Sequence, residues 1–209
     1  MTTNESFPKF DLPVDFIADD SITGDILNYY GNFPCKIKAG VFVLCTEGMV
    51  RATINLLEVV IRKNDFIVVL PNSFIQIHEV SSDTRISFAG FSSDFMLSGN
   101  YVEILLDFMP MILNSPVISL QEDVAGLYRN VYLLLIRAYT LPHSLENKEI
   151  IRSVLAIFLQ GTKELYKRYG KKLDEPLRRE QELYRQFIQL LMAHYTKAVS
   201  YTPLRAHET

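Results

Sequence analysis

Residues 57–80 read LEVVIRKNDFIVVLPNSFIQIHEV. Three short runs in this stretch, 57–62, 65–70 and 74–80, are rich in β-branched and aromatic residues. Lys63-Asn64-Asp65 and Pro71-Asn72-Ser73 separate them with turn chemistry. The pattern predicts three consecutive antiparallel strands, and it extends in both directions. Upstream lie KIKAGVFVLCT (36–46) and GMVRATI (48–54), divided at Glu47-Gly48. Downstream, TRISFAGF (84–91) follows Ser81-Ser82-Asp83, and ITGDILNYY (22–30) is a further strand or edge segment. Short strands at a spacing of roughly 8–12 residues, with no helices between them, predict an antiparallel barrel or sandwich. A doubly wound parallel sheet would need crossover helices, and the intervals leave no room for them.

From about residue 92 the periodicity becomes helical. Residues 94–109 carry Phe95, Tyr101, Ile104, Leu105 and Phe108. In 121–141, Val124, Leu127, Tyr128, Val131, Leu134, Leu135 and Ala138 recur at helical spacing and form one apolar face, which Pro142 ends. Residues 146–169 carry a stripe wider than one packing partner requires, and Gly170 suits the position just past a helix end. Pro176 fits the first turn of a fourth helix bearing Leu183, Phe187, Leu190, Leu191 and His194.

The chain has 209 residues, 48% apolar and 22% charged, which is the composition of a folded globular protein. A chain of this size buries roughly 70% of its unfolded surface, so it needs no staples. The net charge of −3 and a pI near 5.8 argue against a protein that coats nucleic acid. The charge is uneven: residues 1–141 are acidic and 142–198 basic. Cys35 and Cys45 lack metal-site spacing and read as small buried apolar residues. The N-terminus has no secretory pattern, and the longest apolar runs, such as VYLLLI (131–136), are far too short to span a bilayer. A cytoplasmic protein with no membrane partner is the expectation.

Motifs for chemistry are sparse. No glycine falls in GxGxxG or GxxxxGK[ST] spacing, and there is no GxSxG. His78, His143, His194 and His207 are scattered, and Gln76 stands where an HxH metal pair would begin. Neither a metal, a cofactor nor an enzyme active site is expected. On strand 74–80, Phe74, Gln76, His78 and Val80 share one face. With that face inward, Gln76 and His78 are polar handles in an apolar cup, with Phe88 beside them and Arg51 placed to meet an anion. The other reading of the same residues is a barrel packed solid by Phe42, Phe66, Phe74 and Phe88.

Strands, then KNDFIVVLPN (63–72), then helices, resemble the sensor half of an AraC/XylS-type transcriptional regulator. Residues 63–72 are similar to that family's turn-Asp-strand-Pro element. EQELYRQFIQLLMAHYTKA (180–198) resembles the first helix of its DNA-binding domain, through Phe187, Leu190, Leu191, His194 and Tyr195. The resemblance implies an α+β fold, a cupin-like (jelly-roll) antiparallel β-barrel followed by an α-helical dimerisation region. It divides the chain into an arm (1–20), the barrel (21–92), the helical region (93–170), a linker (171–175) and the first helix of a helix-turn-helix domain (176–198). The remainder, VSYTPLRAHET (199–209), breaks the pattern and reads as a non-native tail, so the recognition helices would be missing. DNA would then be met only through that missing domain, and no residue here is assignable to it.

The same resemblance implies a homodimer, with Ile151, Val154, Leu155 and Phe158 of the wide stripe meeting a second copy. It also implies a small-molecule effector that biases how the helices pack. A stand-alone cupin-like binding protein or enzyme is the alternative.

Overall fold

The computed structural model describes residues 9–10, 12–29, 31, 33–97, 101–140 and 148–169, together with 179 and 183. The described elements belong to one compact unit, Met1–Lys172. Only Arg179 and Leu183 are described beyond it, so the expected linker, DNA-binding helix and tail lie outside the described residues.

The strands form two five-stranded sheets. The first has the order β1 (Lys9–Phe10), β3 (Cys35–Ile37), β8 (Ser73–Val80), β5 (Met49–Ile54), β6 (Leu57–Arg62). The second runs β10 (Val117–Ser119), β7 (Asp65–Val69), β4 (Gly40–Glu47), β9 (Arg85–Phe91), β2 (Phe16–Thr23). Every pairing except β1 with β3 is antiparallel. The α+β class with antiparallel sheets ahead of the helices is thus the observed one. The two sheets face each other as in a jelly roll, and no ladder among the described residues closes them into a continuous barrel. Residues 22–30, expected as a strand or edge segment, are instead mostly the short helix α1 (Gly24–Tyr29); the strand lies before it, since β2 begins at Phe16 within the expected arm.

The turns explain the register. Asn55 and Leu56 join β5 to β6 with φ of 48° and 71°. A two-residue hairpin with both residues in the left-handed region matches the natural strand twist. Asn55 is suited to it and is pinned: its Oδ1 accepts from the Phe74 amide at 2.9 Å and its Nδ2 donates to Ser73 Oγ at 2.9 Å. Leu56 has no such compensation and is exposed. Leu56→Gly is therefore expected to stabilise the protein by about 0.5–1 kcal/mol, because the relieved crowding of Cβ outweighs the looser unfolded chain. Thermal denaturation checks it, and a lowered midpoint would refute it.

Helices α2 (Ser93–Leu97), α3 (Tyr101–Asn114), α4 (Glu122–Thr140) and α5 (Lys148–Tyr169) follow. They cover the outer face of the second sheet. Phe42 and Phe66, on β4 and β7, meet the Phe158 ring of α5 at centroid distances of 4.9 and 6.0 Å. Phe66 also meets Tyr128 of α4 at 5.0 Å. This unit therefore has three layers and two cores. One core lies between the sheets and is aliphatic: Cys45, Val50, Ala52, Ile54, Ile61, Ile67, Val69 and Ile86. The other lies between the second sheet and the helices and is aromatic.

This arrangement corrects two expectations. Phe42 and Phe66 do not fill the space between the sheets but pack under the helices. Phe74 sits on the outer face of the first sheet, where Lys36 Nζ lies 5.9 Å from its ring centroid. Ile151, Leu155 and Phe158 are buried within the unit, so these three do not present a dimer surface, whereas Val154 is half-buried. The stripe of α5 is wide because it serves the sheet and the neighbouring helices together.

Candidate functional site

Strand β8 fixes where the expected ligand contacts lie. Ile75 and Ile77 pack on the core between the sheets, so Phe74 and Gln76 point away from it. The β5–β8 register then shifts between Arg51 and Ala52: Ala52 pairs with Ile77 and Arg51 with Glu79. His78 is the extra residue of this bulge, and Val80 returns to the core. His78 and Glu79 consequently both face outward. His78 Nε2 and Thr53 Oγ1 share a hydrogen bond of 2.7 Å on that outer surface. Arg51 is held between Glu79 at 3.3 Å and Glu58 at 3.5 Å, its charge already matched. Gln76, His78 and Arg51 are thus excluded from the interior, and the polar cup built from them is corrected. Phe88 alone of the four points inward, opposite Val43 and in phase with Ile86.

The interior between the sheets carries other residues. Val41 and Val43 from β4, Val59 from β6, Ile75 and Ile77 from β8, and Ile37 and Ile22 pack against the aliphatic core. All of these, like Phe88, are only half-buried. On the opposite side of the same second sheet, Phe42, Leu44, Phe66, Val68, Ala89 and Phe91 are fully buried. Adjacent residues of one strand, such as Phe42 and Val43, therefore differ sharply in closure. The inter-sheet layer thus has a buried aliphatic centre, with Ile67, Val69 and Ile86 closed from solvent, and a margin of half-buried branched side chains.

Polar chemistry within this interior is slight. The Cys45 thiol is buried, donates to the Glu47 carbonyl at 3.2 Å, and is pushed up to about 11 by that burial and by the nearby Asp65 charge. It is an inert packing group, as its sequence context implied. Cys35 is half-buried, its thiol raised by burial. Among the described residues no three His, Cys, Asp or Glu side chains gather to hold a metal. Nor is any described helix long and apolar enough to cross a membrane.

In the aromatic core, burial pushes the Tyr128 phenol up to about 12, and the Tyr132 and Tyr166 phenols higher. They are neutral hydroxyls that add polar atoms to an apolar layer.

These features define an α+β fold of two facing, mainly antiparallel sheets with an aliphatic core between them and a helical backing. No family model matches the chain, and no curated protein does. Similar solved structures include ToxT of Vibrio cholerae O395 bound to (E)-4-(8-methylnaphthalen-1-yl)but-3-enoic acid, at 11% identity over 81% of this chain and 64% of that one, TM-score 0.40. Unsaturated fatty acid bound ToxT of V. cholerae strain SCE256 gives 9% identity over 82% and 62%, TM-score 0.40. The plu4264 protein of Photorhabdus luminescens gives 12% identity over 40% and 57%, TM-score 0.26. The chain spans slightly under two thirds of the length of the ToxT structures that it matches.

Proposed function

We propose that this chain is the effector-sensing and dimerisation part of an AraC-type transcriptional regulator, and that its effector is a small, largely apolar molecule held between the sheets. The observation that supports the reading is the aliphatic inter-sheet core whose flanking residues, Val41 and Val43 among them, are only half-buried, while the outer face of the same sheet is sealed. A ligand entering there presses on Val41 and Val43 of β4. The alternate residues of that strand, Phe42 and Leu44, are buried on its other face, and Phe42 supports α5. One strand thus touches ligand on one face and helix on the other. A ligand that fits one spacing of the layers better than another shifts the helices by that difference in affinity.

The helices present apolar side chains for a second copy, though not those first expected. Leu127 and Leu134 of α4 and Ile157 of α5 are exposed. Tyr128 and Phe158, next to two of them in sequence, meet at 5.7 Å, which sets the two helices side by side. We propose this face as the dimer contact, in place of Ile151, Leu155 and Phe158.

The interior is tested with 8-anilinonaphthalene-1-sulfonate as an apolar probe. The folded protein is expected to bind one probe per chain, with a rise in thermal midpoint. Val43→Trp, which fills the interior from β4, is expected to cut the affinity by about tenfold or more while leaving a cooperative thermal transition. Absence of binding, or binding indifferent to the substitution, would remove the effector site.

A further inference from the structure

We propose a second small-molecule site, separate from the inter-sheet interior, that takes a small zwitterion of the α-amino-acid class, with its carboxylate on Arg129 and its ammonium on Asp20. A cavity of about 320 Å³ lies between α4 and the helix-facing side of the second sheet, and Arg129 and Asp20 both line it. Its size falls at the small end of natural ligand sites, fit for a metabolite and not for a chain segment. Elsewhere this interface is largely aromatic and aliphatic. Here Ser87, only 2% exposed, replaces an apolar residue on the helix-facing side of β9, opposite Leu44. Thr46 of β4 adds a second hydroxyl to the lining.

The charges decide the class of ligand. Two cations, Lys63 and Arg129, and two carboxylates, Asp20 and Glu47, line the cavity, so its formal charge is zero and a simple anion or cation gains little from the net field. Two of the four are already matched. Glu47 pairs with Arg85 at 3.3 Å. Lys63 pairs with Glu122 at 3.8 Å, and Glu122, drawn below its ordinary range by the Asn64 amide and then by Lys63, is committed there. Asp20 and Arg129 remain. Among the described residues neither side chain makes a hydrogen bond or a close ion pair; Arg129 contributes only a weaker attraction to Glu122, behind those of Asn64 and Lys63. The Arg129 Nε is itself buried with no partner, so it is the rest of the side chain that lines the cavity. An unmatched guanidinium and an unmatched carboxylate facing one cavity are the complement of a molecule that carries both charges. Arg129 supplies charge-assisted donors to a carboxylate, and Asp20 accepts from an ammonium.

Calorimetric titration of the full chain with each of the twenty α-amino acids, with propionate and with propylamine tests the assignment. At least one small amino acid is expected to bind saturably, one per chain. Propionate and propylamine, each lacking one charge, are expected to bind about tenfold more weakly or not at all. Arg129→Gln and Asp20→Asn are each expected to weaken the amino acid by about tenfold or more, with thermal midpoints little changed, since neither side chain has a hydrogen bond or close ion pair to lose. Three results would overturn the proposal. They are no binding of any amino acid at tens of millimolar, propionate binding as tightly as the best amino acid, or affinity unmoved by either substitution. Retention of 8-anilinonaphthalene-1-sulfonate binding in the Arg129→Gln protein is expected as well, and it separates failure of this site from failure of the inter-sheet site.

Discussion

Phe158→Asp unfolds the protein, whereas Ile157→Asp leaves it folded. The two residues are neighbours on α5, yet Phe158 is 2% exposed and Ile157 is 69% exposed. The Phe158 ring meets Phe42, Phe66, Tyr128 and Tyr132 at 4.9 to 6.0 Å, two of them from strands of the second sheet and two from α4. Removing such a ring costs about 3–5 kcal/mol through lost transfer energy and the cavity left behind. Placing a carboxylate among those aromatic rings adds the expense of burying a charge in an apolar site. Native domains are stable by only about 5–15 kcal/mol, so the sum removes most or all of the stability. Far-ultraviolet circular dichroism on heating is expected to show no cooperative transition for Phe158→Asp, or one lowered by tens of degrees. The surface change Ile157→Asp is expected to shift stability by about 0.5 kcal/mol or less. Its effect appears in solution mass, which falls from dimer to monomer on the proposed contact. A folded, thermally unaltered Phe158→Asp protein would refute the aromatic core. A monomeric parent, or an Ile157→Asp dimer, would remove the helical face as the contact.

The contrast between those two residues also shows what periodicity reveals and what it does not. The six strand runs between 36 and 91 were legible because turn residues punctuate them at short intervals. The structure places β4 to β9 within about two residues of those expectations; the first run alone is interrupted, at Lys38 and Ala39. Which way the side chains point was less legible. Strand β7 is buried at all five positions, because the second sheet has a core on each face. Alternation of apolar and polar residues therefore carries no signal there, and Phe42 and Phe66 could be assigned to either side. On β8 the alternation was present, but one bulge residue reversed its phase and sent His78 outward. On α4 the apolar face is broader than the buried one. Ala125, Tyr128, Tyr132 and Leu135 are buried while Leu127 and Leu134 are exposed. The Asp20–Arg129 cavity had no sequence signal at all, since it joins side chains from two elements far apart in the chain. The short strand β10 was missed for a simpler reason: three residues are too few to show a period.

Asp65→Ala destabilises the protein by about 2–4 kcal/mol, and Asp65→Asn by roughly half of that. Asp65 opens β7 at the end of the Lys63-Asn64 turn, where Asn64 adopts a φ of 68°. Its carboxylate is buried, at 5% exposure, and both oxygens are used. Oδ2 accepts from the Arg62 amide at 2.7 Å and Oδ1 from the Ser119 hydroxyl at 2.6 Å. One side chain thus closes the β6–β7 hairpin and ties β10 to it, which is why an aspartate follows this turn. Alanine abandons a backbone donor and a hydroxyl in a site from which water is largely excluded, and the desolvation of both goes uncompensated. Asparagine has the same shape. Its oxygen can take the Arg62 amide, and its amide can donate to Ser119 once that hydroxyl turns to accept, so geometry survives and only the charge is lost. Urea denaturation should rank the proteins parent, asparagine, alanine in falling midpoint at constant slope. A second consequence separates charge from shape. The Asp65 carboxylate is one cause of the raised Cys45 thiol, so both variants should bring that thiol down from about 11, asparagine included. Thiolate absorbance against pH reads this directly in a Cys35→Ser background. Equal midpoints for all three proteins would show that the turn holds without its carboxylate, and an unmoved thiol in the asparagine protein would place the Asp65 charge too far from Cys45 to act on it.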